Sequence, residues 1–442
     1  MTATALAPRF MIAVVAILLF CRLVSWAIGR FGQPPVVGEM IAGVLLGPSL
    51  LGLLAPRAEN ELFPAALKPL IYVAGQVGLA ALMLQAGHEF KAHLSRGVGR
   101  TAAAVSAAGI TVPLALGVAL AFAAHGHVDV FVPGVSVGVT AAFVGVALAI
   151  TAFPMLARII TERGLSETRY GALALASGAL DDVVAWCLLA GVLSVASGRT
   201  GPVLHAVGGA VVFGLVIVFG ARRLLAAAMR HPGLTDESRL MVVAVVLFAA
   251  SWFTDEIGLY TVFGAFCVGM AMPSGIVADR SVHAVGFNLR ILFLPMFFTY
   301  SGLNTHFDLL GNGPLFLFAL AAIAAAVIGK FGACWYAAVL RGEPRHTAVS
   351  LGALMNARGL MQLIALNVGL TAGIVDGQLF TALVLVAIVT TLMTAPSLSW
   401  IDRHIPKPVP DLSAVSTDRR VEVPELGEGE AQPPGRSGIT VS

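Results

Sequence analysis

Asp181 and Asp182 stand side by side in Ser177-Gly-Ala-Leu-Asp-Asp-Val-Val-Ala-Trp186, inside an apolar run long enough to cross a bilayer. An ionised carboxylate at membrane depth costs roughly 2.5–3.5 kcal/mol on insertion scales, so an intramembrane pair marks a functional site. Glu39, Lys330 and Arg358 are further charges within apolar runs, and each needs a partner there. Neighbouring helix positions point about 100° apart, so the two aspartates cannot both face one group. One can pair with Lys330 while the other faces a water-filled cavity. Burial and a like-charged neighbour disfavour the ionised form, and Lys330 opposes that for its own partner. The cavity-facing carboxylate can then hold either a proton or a small monovalent cation. Competition for one site would couple the two movements. A cation needs oxygen ligands, which Thr151, Ser177, the carboxylate and freed backbone carbonyls could supply together with water.

Such residues need a scaffold that spans the membrane. The chain has 442 residues, 58% hydrophobic and only 12% charged, which excludes a soluble globular protein. About thirteen apolar runs recur, at roughly 10–29, 36–54, 67–87, 101–124, 134–157, 170–197, 202–221, 240–253, 259–273, 288–303, 314–339, 347–371 and 378–400, each near the length of a transmembrane helix. The expected fold class is an all-α polytopic membrane protein. The four cysteines, Cys21, Cys187, Cys267 and Cys334, lie in apolar runs and form no disulfide or metal spacing. The first run is long for a signal peptide and is followed at once by another span.

Lysine and arginine placement gives an orientation, because cytoplasmic loops hold the excess of positive charge. With the N-terminus outside and the C-terminus cytoplasmic, seventeen basic residues fall on the inner side, among them Arg96, Arg158, Arg163, Arg222, Arg230 and Lys407. Only Arg9, Arg57, Lys68 and Arg199 fall outside. The formal charge of +3 thus reflects topology, and no nucleic-acid partner is expected. Residues 403–442 are rich in Pro, Glu and Gly with few large apolar residues, and read as a disordered cytoplasmic tail after a transmembrane domain at 1–402.

Traces of an internal repeat divide that domain. Gly38-Glu-Met-Ile-Ala-Gly43-Val-Leu-Leu-Gly-Pro48 in the second run is matched by Gly264-Ala-Phe-Cys-Val-Gly269-Met-Ala-Met-Pro273 in the ninth. Inverted copies at about 10–197 and 240–400, with a linker helix at about 202–221, would account for the likeness. Polar interruptions then fall in matching members of the two halves. Thr151-Ala-Phe-Pro154 breaks the fifth run, since Pro154 lacks an N–H, and Asn356-Ala-Arg-Gly359 breaks the twelfth. Unwound backbone at membrane depth is tolerated where it lines a cavity or is buried in protein.

These stretches, with Gln33-Pro-Pro-Val-Val-Gly-Glu-Met-Ile-Ala-Gly-Val-Leu-Leu-Gly-Pro-Ser49, Asp181-Asp-Val-Val-Ala-Trp186, Pro295-Met-Phe-Phe-Thr-Tyr-Ser-Gly302 and Asn356-Ala-Arg-Gly-Leu-Met361, resemble the second cation:proton antiporter family up to about residue 402. That family includes bacterial sodium/proton and potassium/proton antiporters and plant cation/proton exchangers. The resemblance implies an inverted-repeat fold with crossed discontinuous helices, here the fifth and twelfth runs. It also implies a homodimer in the cell membrane, and a core domain that moves as an elevator while exchanging sodium or potassium for protons. Asp182 would be the shared cation and proton carrier, and Asp181 the partner of Lys330. Relatives commonly have Glu where this chain has Gln362, so Arg358 must find another counter-charge, with Glu39 as one candidate. The tail also lacks the nucleotide-binding motif of the glutathione-gated potassium efflux branch.

Two other classes stand beside this one: a sodium-coupled organic anion symporter of related fold, and a non-transporting membrane sensor. The paired aspartates and Lys330 argue against the symporter, and an intact ion site would be idle in a sensor. An enzyme is not expected, because no phosphate loop, His/Cys metal spacing or nucleophile motif is present, and no cofactor follows.

Overall fold

In the computed structural model the described residues are 3–93, 99–196, 200–257 and 260–406. The tail beyond 406, with Lys407, and the loop residues Arg96 and Arg199 lie outside them. The described residues form helices and turns without strands. In chain order the helices are α1 (Ala3–Gly29), α2 (Pro35–Leu46), α3 (Pro56–Leu62), α4 (Lys68–His93), α5 (Gly99–Ala124), α6 (Val137–Ala149), α7 (Phe153–Glu162), α8 (Arg169–Ala196) and α9 (Thr200–Leu215). They continue with α10 (Arg222–Arg230), α11 (Asp236–Glu256), α12 (Tyr260–Ala271), α13 (Ile276–Leu303), α14 (Gly313–Val327), α15 (Ala333–Leu340), α16 (Arg345–Met355), α17 (Gly359–Thr371) and α18 (Gly377–His404). Short π-turns at Val216–Ala221 and Ile328–Gly332 join α9 to α10 and α14 to α15.

Among the described residues eleven helical stretches are long and apolar enough to cross a membrane, against the thirteen expected. The chain is a multi-pass membrane protein. The two runs that fall short are α2 and α12, each of 12 residues, or about 18 Å against a hydrocarbon core of about 30 Å. They are also the two that carry the matching glycine patterns. Pro48 follows Gly47 directly at the end of α2 and Pro273 lies two residues beyond α12, and proline restricts the residue before it to extended backbone. α18 in turn runs past the expected boundary at 402, with Arg403 and His404 in its last turn, where basic side chains complement the helix dipole.

Burial separates the helices by role. The spans made by α6–α7 and α16–α17 are 89% and 94% buried, whereas the span from Gly208 to Arg230 is 11% buried. The broken helices therefore form the interior, and the stretch from Gly208 to Arg230 leaves most of its surface uncovered. α2 lies against α13 and α1, and α4 against α13 and α12. α2 and α13 meet backbone to backbone: a Cβ on Gly43 would strike the Phe298 carbonyl and one on Gly302 would strike the Gly43 carbonyl. Small residues permit that approach where lipid offers no hydrophobic drive to helix association.

Candidate functional site

α6 stops because Phe153-Pro154 opens a new helix. Pro154 sits in the first turn of α7, where its missing N–H is not needed, and Ile150 to Ala152 are extended before it. α16 stops at Asn356, and α17 starts at Gly359, whose φ of +45° favours glycine. The Gly359 N–H donates to Thr391 Oγ1 at 2.9 Å. The two gaps touch: the Ala152 N–H donates to the Ala357 carbonyl at 3.1 Å. Four helix ends thus converge in the buried interior.

The end of α6 leaves carbonyls without intrahelical donors, and two buried basic side chains supply them. Arg358 Nη1 donates to the carbonyls of Ala147 and Leu148, and Nη2 reaches Ala326 in α14 at 2.9 Å. Lys330 Nζ donates to Ala149 at 2.6 Å. Both cations also sit at the negative end of the helix dipole. Lys330 is carried by the π-turn between α14 and α15, the kind of helix irregularity that clusters at functional sites.

α8 brings the aspartates to this junction from the other side. Asp181 Oδ2 accepts from Lys330 Nζ at 2.7 Å and from Thr151 Oγ1 at 2.6 Å, while Oδ1 accepts from Ser106 Oγ of α5 at 2.6 Å. Asp181 and Lys330 are both 0% exposed, so the carboxylate is fully buried with three donors, one of which, Lys330, is its counter-ion. Asp182 is equally buried and differently served. Neither of its oxygens makes a full hydrogen bond among the described residues, and the backbone dipole acting on it is the Phe153 N–H at the start of α7. Adjacent carboxylates thus differ in kind: one is fixed, the other is available.

Other expected site residues are distributed as follows. Thr151 gives its hydroxyl proton to Asp181. Ser177 does not join Asp182: four residues before Asp181, it shares that helix face and donates to the Ala102 carbonyl of α5 at 3.1 Å. Asn356 is buried in the second gap with its Oδ1 unengaged among the described residues. Glu39 is not the counter-charge of Arg358, which is occupied by carbonyls; the arginines acting on Glu39 are Arg158, Arg290 and Arg22. Gln362 is buried and donates to the Leu383 carbonyl at 3.1 Å. Backbone carbonyls, rather than an acid at that position, accept from both terminal nitrogens of Arg358, while its Nε is unengaged among the described residues. Ser106 was not legible from the sequence, since a lone serine in an alanine-rich helix carries no pattern.

A cavity of about 270 Å³ approaches the junction beside the first turns of α7 and α17, lined by Gln85, Glu89, Pro154, Arg158, Arg290 and Leu360 among others. It brings open space, with charged groups on its wall, to the first turn of α7. The arrangement can hold one permanent buried ion pair and one carboxylate open to a proton or cation.

Comparison with known proteins agrees with this architecture. Residues 15–402 match the transmembrane sodium/hydrogen exchanger family. The Na+/H+ antiporter NhaS4 of Synechocystis sp. is 35% identical over 87% of this chain and 94% of its own length. Cation/H+ antiporter 18 of Arabidopsis thaliana is 32% identical over 88% of this chain, and K+/H+ antiporter 1 of Saccharomyces cerevisiae 30% identical over 88%. This chain spans about half the length of those two, 48% and 46%. The solved structure of the sodium proton antiporter MjNhaP1 from Methanocaldococcus jannaschii at pH 8 shares the fold, with a TM-score of 0.61 over 89% of this chain and 97% of that one at 15% identity. With a match that covers most of its length, and with buried charges at two broken helices, the chain belongs to the sodium/hydrogen exchanger family.

Proposed function

We propose that this protein is a cation/proton antiporter in which Asp182 binds a proton or a monovalent cation in turn. The observation that carries the reading is the unequal service of the two aspartates: three donors on Asp181 and no full hydrogen bond on Asp182. An unpartnered carboxylate inside a membrane protein is costly when ionised and empty. Loaded states, protonated or cation-bound, are therefore the ones able to cross. Two exclusive loads on one group give exchange without further parts. Oxygen ligands for the cation would come from the Asp182 carboxylate, the Thr151 hydroxyl and Asn356 Oδ1, with backbone carbonyls at the gaps.

Sodium is the first candidate cation and potassium the second; names among the relatives include both ions. The elevator movement, the homodimer, the inverted repeats, and a cell-membrane orientation with N-terminus outside belong to the same proposal. Supporting them are the buried broken helices and the one-sided distribution of basic loops. The test is proton flux in proteoliposomes holding only this protein, with sodium, potassium and lithium added in turn. Cation-triggered proton movement in the wild type and none in Asp182→Asn is expected. Retained exchange in that variant would remove Asp182 from the mechanism, and no response to any cation in the wild type would overturn antiport.

A further inference from the structure

A second cavity, of about 670 Å³ and lined by none of the residues of the aspartate site, lies between α10 and the turn leading from α12 into α13. Arg222, Ala226, Met229 and Arg230 line it from α10. Their spacing of four, seven and eight residues places them on one helix face. Ser274 and Ile276 line the opposite wall. Among the described residues neither arginine has a carboxylate partner: the ion pairs there engage other side chains, and Arg223 stacks on Phe219. Asp279, the acid in the first turn of α13, is bound to His88 Nε2 at 2.7 Å.

The surroundings point to the source of the anion. The span from Gly208 to Arg230 is only 11% buried, and it is long and apolar enough to cross a membrane, so its apolar side chains suit an acyl-chain environment. Phe219 on that span and Ile276 at the cavity wall are exposed apolar side chains, at 55% and 71%. A charged pocket directly beside apolar surface at the end of a membrane helix matches a molecule with a phosphate at one end and acyl chains at the other. Basic pockets between transmembrane helices at a membrane surface bind anionic headgroups, and each Arg near an anionic surface adds to that attraction.

We propose that Arg222 and Arg230 form a binding site for the phosphate of an anionic phospholipid, whose acyl chains lie along Phe219 and Ile276. The site is independent of the exchange reaction and holds whether or not Asp182 is the carrier.

The experiment is native mass spectrometry of the full chain released from phosphatidylglycerol and from phosphatidylcholine vesicles, with thermal unfolding read in parallel. Wild type should retain phosphatidylglycerol preferentially and unfold at higher temperature with it. Arg222→Gln/Arg230→Gln should retain roughly tenfold less, whereas Arg341→Gln, an arginine outside this cavity, should behave as wild type. Ala226→Trp, which fills the cavity and keeps both charges, should also lose the lipid and covers the case in which the double variant fails to fold. Equal retention of both lipids by the wild type, or undiminished retention in Ala226→Trp, would overturn the site. Release of the lipid effect by millimolar inorganic phosphate would transfer the site to a soluble anion and overturn the lipid assignment.

Discussion

Lys330 Nζ stands 2.7 Å from Asp181 Oδ2 with both side chains fully buried, and the same ammonium group donates to the Ala149 carbonyl at the end of α6. One side chain thereby ties the fixed carboxylate of α8 to the break in the neighbouring helix. Removing Lys330 leaves a buried charge without its partner, which typically costs about 3–5 kcal/mol, while replacing both members by neutral groups often costs little. Lys330→Met should therefore lower the melting temperature sharply, and Asp181→Asn/Lys330→Met should recover much of that loss. Additive losses in the double variant would show that the pair is not coupled. In the same series, Asp181→Asn should weaken exchange or change its electrogenicity, read as membrane-potential change in proteoliposomes.

Ser106 of α5, a neutral hydroxyl, is the third donor to Asp181. A hydrogen bond to a charged group contributes about 1.5–3 kcal/mol. Ser106→Ala should reduce thermal stability in detergent by that order and slow exchange, with cation dependence retained because Asp182 is untouched. A melting temperature equal to wild type would remove Ser106 from the support of Asp181.

Arg358 joins carbonyls of α6 to one of α14 through two nitrogens of one planar group. A lysine ammonium carries the charge but not the fork. Arg358→Lys should keep the charge at the α6 terminus, lose the bridge and reduce both melting temperature and exchange. Wild-type behaviour of this variant would mean that charge alone suffices there. Gln362→Glu, by contrast, replaces the amide that donates to the Leu383 carbonyl with an acid that has no such donor when ionised, and should not raise the melting temperature.

Asp376 caps α18, accepting from the Leu379 N–H at 2.8 Å. Burial, foremost, holds its carboxyl above the ordinary value of 3.8, with the Leu379 hydrogen bond opposing and Asp129 adding to the rise. An acid with a raised folded value binds its proton more tightly in the native state. Stability is therefore greater at low pH, and this contribution declines as pH rises from the ordinary value through the raised one. Asp376→Asn keeps a capping oxygen and removes the charge, so its melting temperature should vary less than the wild type's across the mildly acidic range. Asp376→Ala should lose about 1 kcal/mol at any pH through the lost cap. An identical pH profile in Asp376→Asn and wild type would exclude this group as a source of the dependence.

The chain's own order of residues determines the class and the ingredients. Apolar runs of bilayer length set a helical membrane protein, because backbone polar groups in lipid must be satisfied within the segment. Thr151 to Pro154 and Asn356 to Gly359 mark the breaks, because proline and glycine act locally on the backbone. Asp181, Asp182, Lys330 and Arg358 mark the site, because charge in a membrane is expensive wherever it falls. The pairing of Lys330 with Asp181 was expected from the family resemblance, but most other contacts of these residues were not written in that order. Ser106, 75 residues before Asp181, became a donor only when α5 lay against α8. Ser177 turned to α5, Glu39 came to lie in the field of Arg158, Arg290 and Arg22, and Arg358 took, among others, carbonyls at the end of α6 that are free because α6 stops beside it. Side-chain types are local properties of a sequence. Partners across helices, and with them the division between a fixed and an available aspartate, are set by packing, which brings together groups separated by a hundred residues or more.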